Sequence, residues 1–450
     1  MGITDLTLIE TIDALEKGEF TLEELNKAYL ERIEKYNPEL NAYLEVNQES
    51  DKLPAAIKSL ISTKGFKTSS ASKIIENYIP PYNATVVEKL MENNVSVLGK
   101  TNQYEFAMGS SGENSAFGGT KNPWDKTKVP GGSSSGSAVA VAADLALFAV
   151  GTDTGGSIRQ PASFCGIVGF KPSYGRVSRY GAIAMASSLD QIGPMTKSVA
   201  DARLVLSWIS GADGFDSNCV DELLEIASAS PRNDCSLKGI KVGVPEEYFA
   251  EGLDKGVEDV IRNAISKMEE LGAEIVKISL PNTKYAIAVY YIIMASEVSS
   301  NLARFTGIRY GGDRSLFGSE VKRRIMLGTY SLSSGFYDDY YNKAAKVRTL
   351  IKQDFEKAFE KVDVIVGPVS PTVAWNLGEK ISDPLTMYLS DVYTIPASLA
   401  GLPGLSMPVG FSDGMPVGLQ ILGKYLDDAT VLDVGEILEK ELNIKEKPKL

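Results

Sequence analysis

Between Pro130 and Gly169 the chain reads PGGSSSGSAVAVAADLALFAVGTDTGGSIRQPASFCGIVG, with two glycine- and serine-rich clusters set around short apolar runs. One cluster spans Gly131 to Ser137 and the other runs Gly155-Gly156-Ser157-Ile158-Arg159. Glycine lets backbone N–H groups converge closely on a bound group, so a serine in this setting is a candidate nucleophile held in a backbone cradle. Taken alone, GGSSSGS reads as a turn or flexible linker. The chain has no histidine, which excludes Ser-His-Asp, Cys-His and histidine-containing zinc sites within it. A serine nucleophile here needs another base, and lysine is the main remaining option.

Such a site needs rigid elements to aim it, and the hydrophobic pattern predicts an alternation of helices and strands. Residues 5–35 read as two amphipathic helices, the second opened by the capping box Thr21-Leu-Glu-Glu24 with Leu22, Leu25, Tyr29 and Ile33 at helical spacing. Leu53-Pro-Ala-Ala-Ile57 predicts a short strand ending at Lys58 within a polar stretch over 48–73. A helix is predicted over 84–93, a buried strand over 95–98, and a helix over 137–146 starting at the Gly131-Gly132 turn. Strand 240–244, helix 255–271 and strand 273–278 form a predicted βαβ unit. A long helical pattern over 337–361 leads into a strand over 362–366 stopped by Gly367-Pro368. No fixed-period repeat or low-complexity linker is present, so a single α/β body with a helical attachment is expected.

The 450 residues are 44% hydrophobic, enough for a substantial core. A net charge of −12 argues against this chain alone making most of a phosphate-backbone contact. The apolar run 138–150 falls short of the ~20 residues of a bilayer span and contains Asp144, so it is read as a buried helix. The opening MGITDLTLIE lacks the basic and apolar regions of a secretory signal, and Met-Gly is not followed by the Ser or Thr of a myristoylation site. Cys165, Cys219 and Cys235 are too few and too irregular for a disulfide framework. A cytoplasmic, reduced protein with no membrane association is expected.

The segments PGGSSSGS and GTDTGGSIRQPASFCGIVGFKPSYGRVSRYG closely resemble the amidase signature family, whose members hydrolyse amides through a Ser-Ser-Lys triad. The resemblance implies an α/β fold with a large mixed β-sheet covered by helices on both faces. It divides the chain into an N-terminal helical element, 1–47, and a catalytic domain, 48–450. It makes Ser157 the nucleophile, Ser133 the bridging serine after a cis peptide bond, and Lys58 the general base. Ser133 stands 24 residues before Ser157 and 75 after Lys58, the separations expected of the family. Backbone N–H groups at Thr154, Gly155, Gly156 and Ser157 would form the oxyanion hole. An ordinary lysine is protonated at neutral pH, so Lys58 would have to be desolvated to act as a base. Around the lysine the family pattern reads GIPIAIKDN; this chain has LPAAIKSLI, without the glycine and the Asp-Asn.

Further segments, among them KTNQYEFAMGSSGENSAFGGTKNPWD, EVKRRIMLGTYSLSSGFYDDYYNKAAKVR and DPLTMYLSDVYTIPASLAGLPGLSMPVG, resemble one branch of the family: the glutaminase subunits of tRNA-dependent amidotransferases. In that branch an arginine and an aspartate hold the α-carboxylate and α-amino group of glutamine, and the matching residues are Arg324 and Asp391. A guanidinium suits a carboxylate and a carboxylate suits an ammonium. The resemblance implies no cofactor or metal on this chain. It implies ATP and Mg²⁺ on a partner B subunit, misacylated tRNA held mainly through B, and a small C subunit. The chain's charge and its lack of a G-x-x-x-x-G-K-[ST] loop agree with that division.

Two alternatives stand beside this reading: a stand-alone amidase of the same family and a non-catalytic scaffold. Alone, Lys58, Arg324 and Asp391 would each read as a surface or structural charge, and the motif context carries them. Arg159 is read as a buried ion-pair partner of Asp153 or another carboxylate, and Cys165 as a small core residue.

Overall fold

The computed structural model describes residues 2–220, 236–381 and 383–450. Among these residues eleven strands form one sheet: β1 Tyr43–Val46, β2 Leu53–Lys58, β3 Val95–Thr101, β4 Phe148–Asp153, β5 Val168–Lys171, β6 Gln191–Thr196, β7 Lys241–Pro245, β8 Glu274–Ile278, β9 Val364–Pro368, β10 Gly404–Ser412 and β11 Met415–Gly423. Their order is β1-β3-β2-β4-β6-β5-β10-β11-β9-β7-β8. β3, β2 and β4 run parallel, as do β9, β7 and β8, while β4-β6-β5-β10-β11-β9 pair antiparallel in succession. The sheet is therefore mixed, as expected. β2, β4 and β11 are buried at every position, the pattern of strands covered on both sides. Along β10, Gly404 lies against Arg159 of helix Arg159–Cys165, whereas the next residue, Leu405, packs on Gly435 of helix Asp428–Leu442. Successive strand residues point to opposite faces, so helices cover both.

The sequence signals with local causes have direct counterparts. Thr21 accepts from Glu24 N and Glu24 caps Thr21 N in return, opening the helix Leu22–Leu40; Thr7 and Glu10 do the same for Leu8–Glu16. These helices are docked: Leu25 and Tyr29 are fully buried, and Arg32 donates to the carbonyls of Ala143 and Asp144. Helicity ends at Leu40, and β1 adds an antiparallel edge strand to β3, so residues 1–47 contribute to the sheet as well as the helices. The βαβ unit is present as β7, helix Lys255–Glu270 and β8, with β7 and β8 paired in parallel.

Several boundaries differ from expectation. The helix expected over 137–146 is Ser135–Ala142; Asp144 sits at φ 54°, breaking the helix, and the end of the same apolar run belongs to β4. The run is thus a helix and a strand, both buried. Gly367-Pro368 does not stop β9 but completes it, with Pro368 paired to Leu419 at the strand's end. The long pattern over 337–361 contains a π-helical turn, Asp338–Asn342, before the α-helix Lys343–Ala358. Among the described residues one helical segment, Thr283–Arg304, has the length and hydropathy of a membrane span; half of its most apolar window is buried inside the protein. Cys165 and Cys219 are free thiols, and Cys235 lies outside the described residues.

Candidate active site

The neighbouring parallel strands β2 and β4 end side by side at the candidate site. Lys58 is the last residue of β2, and Thr152 is the penultimate residue of its neighbour β4. Lys58 is fully buried, with Nζ 2.8 Å from Ser133 Oγ, 2.9 Å from Ser134 Oγ and 2.8 Å from Thr152 Oγ1. The Gly132–Ser133 peptide bond is cis. Burial pulls the Lys58 ammonium down to about 7, against the attraction of Asp153 and Asp190, so it is largely neutral above that pH.

The proton arrangement around this amine follows from its neighbours. Ser134 Oγ donates to the Thr152 carbonyl at 3.1 Å and accepts from Thr152 N at 3.2 Å, so towards Lys58 it can only accept. A neutral Nζ has two N–H donors and one lone pair. Ser134 takes one of the hydrogens, which leaves the lone pair open to a hydroxyl donor, Ser133 or Thr152. The absent Asp-Asn of the family pattern is replaced locally by Ser59 and Leu60, whose backbone is held by Thr101 O and Gln103 Oε1.

The loop after β4 carries Ser157, and Asp153 organises it. Its carboxylate accepts from Gly156 N at 2.8 Å, Ile158 N at 3.1 Å and Arg159 N at 3.4 Å, and forms a two-point pair with Arg159 Nε and Nη2 at 3.0 and 2.9 Å. Despite burial, Arg159 holds the Asp153 carboxyl below its ordinary value. Both side chains are fully buried, and Arg159 also reaches Gln420, Ser398 and the Thr394 carbonyl. Arg159 is thus the structural ion-pair partner of Asp153. Removing one partner of such a pair costs about 3–5 kcal/mol.

Ser157 is the one residue of the run 151–160 that is not buried. Its carbonyl accepts from Ser134 N at 3.1 Å, which ties the two clusters together. Among the described residues its hydroxyl has no hydrogen-bond partner, so the Lys58–Ser133 link is closed and the Ser133–Ser157 link is open. The expected oxyanion donors divide. Gly156 N–H is committed to Asp153, which removes it from the set of free donors because the carboxylate needs it to shape the loop. The N–H groups of Thr154, Gly155 and Ser157 have no acceptor among the described residues. Gly155 admits no side chain: a Cβ there would sit 2.7 Å from the Tyr290 ring. Gly156, at φ 144°, lies against Thr394, whose hydroxyl donates to Gly155 O at 2.6 Å.

Those two neighbours lead to the paired charges beyond the loop. Tyr290 is followed by Tyr291, whose ring lies under the buried Arg324 guanidinium, 5.3 Å from its centroid. Asp391 precedes Thr394 by one turn; Thr394 N donates to Asp391 O at 3.1 Å. One Asp391 oxygen accepts from Ser110 Oγ, and the other, Oδ1, is buried without a partner among the described residues. Burial raises its carboxyl to about 7, opposed by the Ser110 hydrogen bond and by Arg324. An unpartnered buried carboxylate oxygen is costly unless a ligand cation completes it. Among the described residues no ion pair joins Asp391 to Arg324, and each keeps unused hydrogen-bonding capacity, Asp391 at Oδ1 and Arg324 at its terminal nitrogens.

A cavity of about 210 Å³ adjoins the loop, lined by Thr152, Thr154, Asp190 and Gln191, with the exposed rings of Tyr180 and Phe215 at its rim. Asp190 accepts from Thr154 Oγ1 at 2.7 Å and from the backbone of Met185 and Ala186, and burial raises it to about 6. Among the described residues no three Cys, Asp or Glu side chains converge as metal ligands would. Sequence reasoning missed Ser134, Thr152 and Asp190 as parts of this site, since isolated hydroxyls and carboxylates carry no spacing signal. It also missed Glu320, whose position four residues before Arg324 was a readable helical pair.

The Amidase family model matches residues 51–432. The A subunit of the glutamyl-tRNA(Gln) amidotransferase of Thermoanaerobacter pseudethanolicus is 52% identical over 483 residues, covering 100% of this chain and 99% of the relative. That of Lactiplantibacillus plantarum is 50% identical over 462 residues, covering 95% and 94%. The crystal structure of the same A subunit from Thermotoga maritima matches with a TM-score of 0.88 at 43% identity, over 100% of this chain and 98% of that one. A 6-aminohexanoate cyclic dimer hydrolase, 24% identical with a TM-score of 0.89 over 99% of both chains, shares the fold. Family model, full-length relatives and strand-end serine cluster agree: the chain belongs to the amidase family.

Proposed function

We propose that this chain is the glutamine-hydrolysing subunit of a tRNA-dependent amidotransferase. The observation that carries the reading is the pairing of a lysine amine caged by hydroxyls with the separated, buried charges of Arg324 and Asp391. Ser157 Oγ attacks the side-chain amide carbon of glutamine as its proton passes through Ser133 to Lys58. The free N–H groups of Thr154, Gly155 and Ser157 face the developing oxyanion. Collapse of the tetrahedral intermediate breaks the C–N bond, the relay returns the proton to nitrogen, and ammonia leaves an acyl-enzyme. Water then releases glutamate and restores Ser157.

Arg324 takes the α-carboxylate of glutamine and Asp391 Oδ1 its α-ammonium. A hydrolase for apolar amides would have no use for two opposed buried charges. Ammonia passes to a partner B subunit, which holds ATP and Mg²⁺ and activates the misacylated tRNA, with a C subunit completing the assembly. The relatives carry glutamyl-tRNA(Gln) in their name, which supports Glu-tRNA(Gln) as the acceptor.

The test is Ser157→Ala in the assembled complex. Glutamine-dependent amidation should fall by at least about 10³-fold while ammonium-dependent amidation persists, because only the donor half is lost. Glutamine-dependent turnover at the wild-type rate would remove Ser157 from the mechanism. Full hydrolytic activity of the isolated chain on simple amides, without partners, would favour a stand-alone amidase.

A further inference from the structure

Glu320 stands behind Arg324 on the helix Ser319–Ser331, with its side chain 11% exposed. Its Oε1 accepts from Arg324 Nε at 2.8 Å and from Tyr388 OH at 3.2 Å, and its Oε2 accepts from Arg323. Tyr388 lies three residues before Asp391, on the short helix Pro384–Leu389, and its ring stacks on Tyr291 with centroids 3.7 Å apart. The guanidinium of Arg324 is held over both rings, 5.3 and 5.8 Å from their centroids. Its Nη1 rests 3.5 Å from Met294 Sδ, and among the described residues Nη2 donates to nothing.

We infer that Glu320 is a positioning residue that fixes the direction of the Arg324 guanidinium and ties it to the segment carrying Asp391. A guanidinium offers a carboxylate two forks, the Nε side and the Nη1/Nη2 end. Glu320 occupies the first, so an incoming carboxylate must take the end. The same Glu320 oxygen that holds Arg324 receives the Tyr388 hydroxyl, so the two segments that carry the opposed charges are fastened at one atom. This sets the distance between the substrate's carboxylate and ammonium contacts, and with it where the amide carbon falls. The inference rests on the reading of Arg324 and Asp391 as the holders of glutamine.

The experiment measures steady-state glutamine hydrolysis and ammonium-dependent amidation in the assembled complex for Glu320→Ala, Glu320→Gln, Tyr388→Phe, Arg324→Ala and the double variant Glu320→Ala/Arg324→Ala. Glu320→Ala should raise KM for glutamine about tenfold or more with kcat changed less than about threefold. Glu320→Gln keeps an acceptor for Nε and should restore KM to within about threefold of wild type, and Tyr388→Phe should give a similar small rise. The double variant should match Arg324→Ala alone, because Glu320 acts through the arginine. Ammonium-dependent amidation should be unchanged throughout. If Arg324→Ala raises KM and Glu320→Ala does not, the positioning role is wrong and the substrate reading stands. If Arg324→Ala leaves KM unchanged, the substrate reading itself fails. A parallel loss of ammonium-dependent activity in Glu320→Ala, not recovered in Glu320→Gln, would make Glu320 a general structural residue and overturn the inference.

Discussion

Lys58 at the end of β2 and Lys100 near the end of β3 lie on adjacent strands, with Lys100 paired to Ile57 in the ladder. Both are fully buried, and burial lowers both to about 7, so by solvation alone they are equivalent. Their partners separate them. Lys100 donates to the Ile61 carbonyl and to Thr63 Oγ1 at 2.8 Å, and Thr63 in turn donates to the same carbonyl at 3.2 Å. Among the described residues both groups that Lys100 reaches accept, and its lone pair receives no proton. Lys58 meets three hydroxyls, of which Ser134 is fixed as an acceptor while Ser133 and Thr152 are free to donate. A depressed lysine becomes a base only where a neighbour has a proton to give.

The sharpest way to break this comparison is Lys58→Met. It should lower glutamine hydrolysis by about 10³-fold or more, within the range of a lost general base, and leave ammonium-dependent amidation intact. A loss below tenfold would put the base elsewhere. The pH profile is the next test. Lys58 must be neutral and Asp391 ionised, and both change state near 7, so activity falls as pH drops. The logarithm of kcat/KM should approach a slope of about 2 below pH 7, while kcat, reporting the loaded enzyme, should fall with a slope of about 1. Flat profiles down to pH 5 would contradict the assignment of either group. The smallest effect belongs to Lys100→Met: kcat and KM should stay within about threefold of wild type, with a stability change of about 1–3 kcal/mol from the lost hydrogen bonds to the Ile61 carbonyl and Thr63, measured by thermal melting. A collapse of kcat with an unchanged melting temperature would erase the distinction between the two lysines.

What the sequence reveals divides along the same line. Features with local causes are legible: the Thr21–Glu24 capping box, the βαβ unit of β7 and β8, and the strand ending at Lys58. Strand order is not, because Gly404 of β10 pairs with Lys171 of β5 across most of the chain, a partnership that no local pattern encodes. The helix expected over 137–146 overran because its apolar run continues through Asp144 into β4, and composition alone does not distinguish a buried helix from a buried strand. At the site, the family motifs mark Ser133 and Ser157, but the residues that direct protons around Lys58 are ordinary in type and distant in sequence. Ser134 stood in plain view within the serine cluster, and only its bonds to both backbone groups of Thr152 distinguish it from its neighbours.

Lys58 and Thr152 sit at the ends of β2 and β4 and Ser157 in the loop after β4, whereas Arg324 and Asp391 ride on segments outside the sheet; Thr394 on the second of these and Tyr290 on the neighbouring helix Ala286–Asn301 touch the Ser157 loop. For protein engineering this makes the molecule a two-part kit. On the proposed reading, the segments 319–331 and 384–394 form a cartridge that names the amide to be opened, plugged into a chassis that opens it. Exchanging the cartridge while retaining Thr394 within it and Tyr290 beside it, the two contacts to the loop, would be the route to new amide substrates that leaves the strand ends undisturbed.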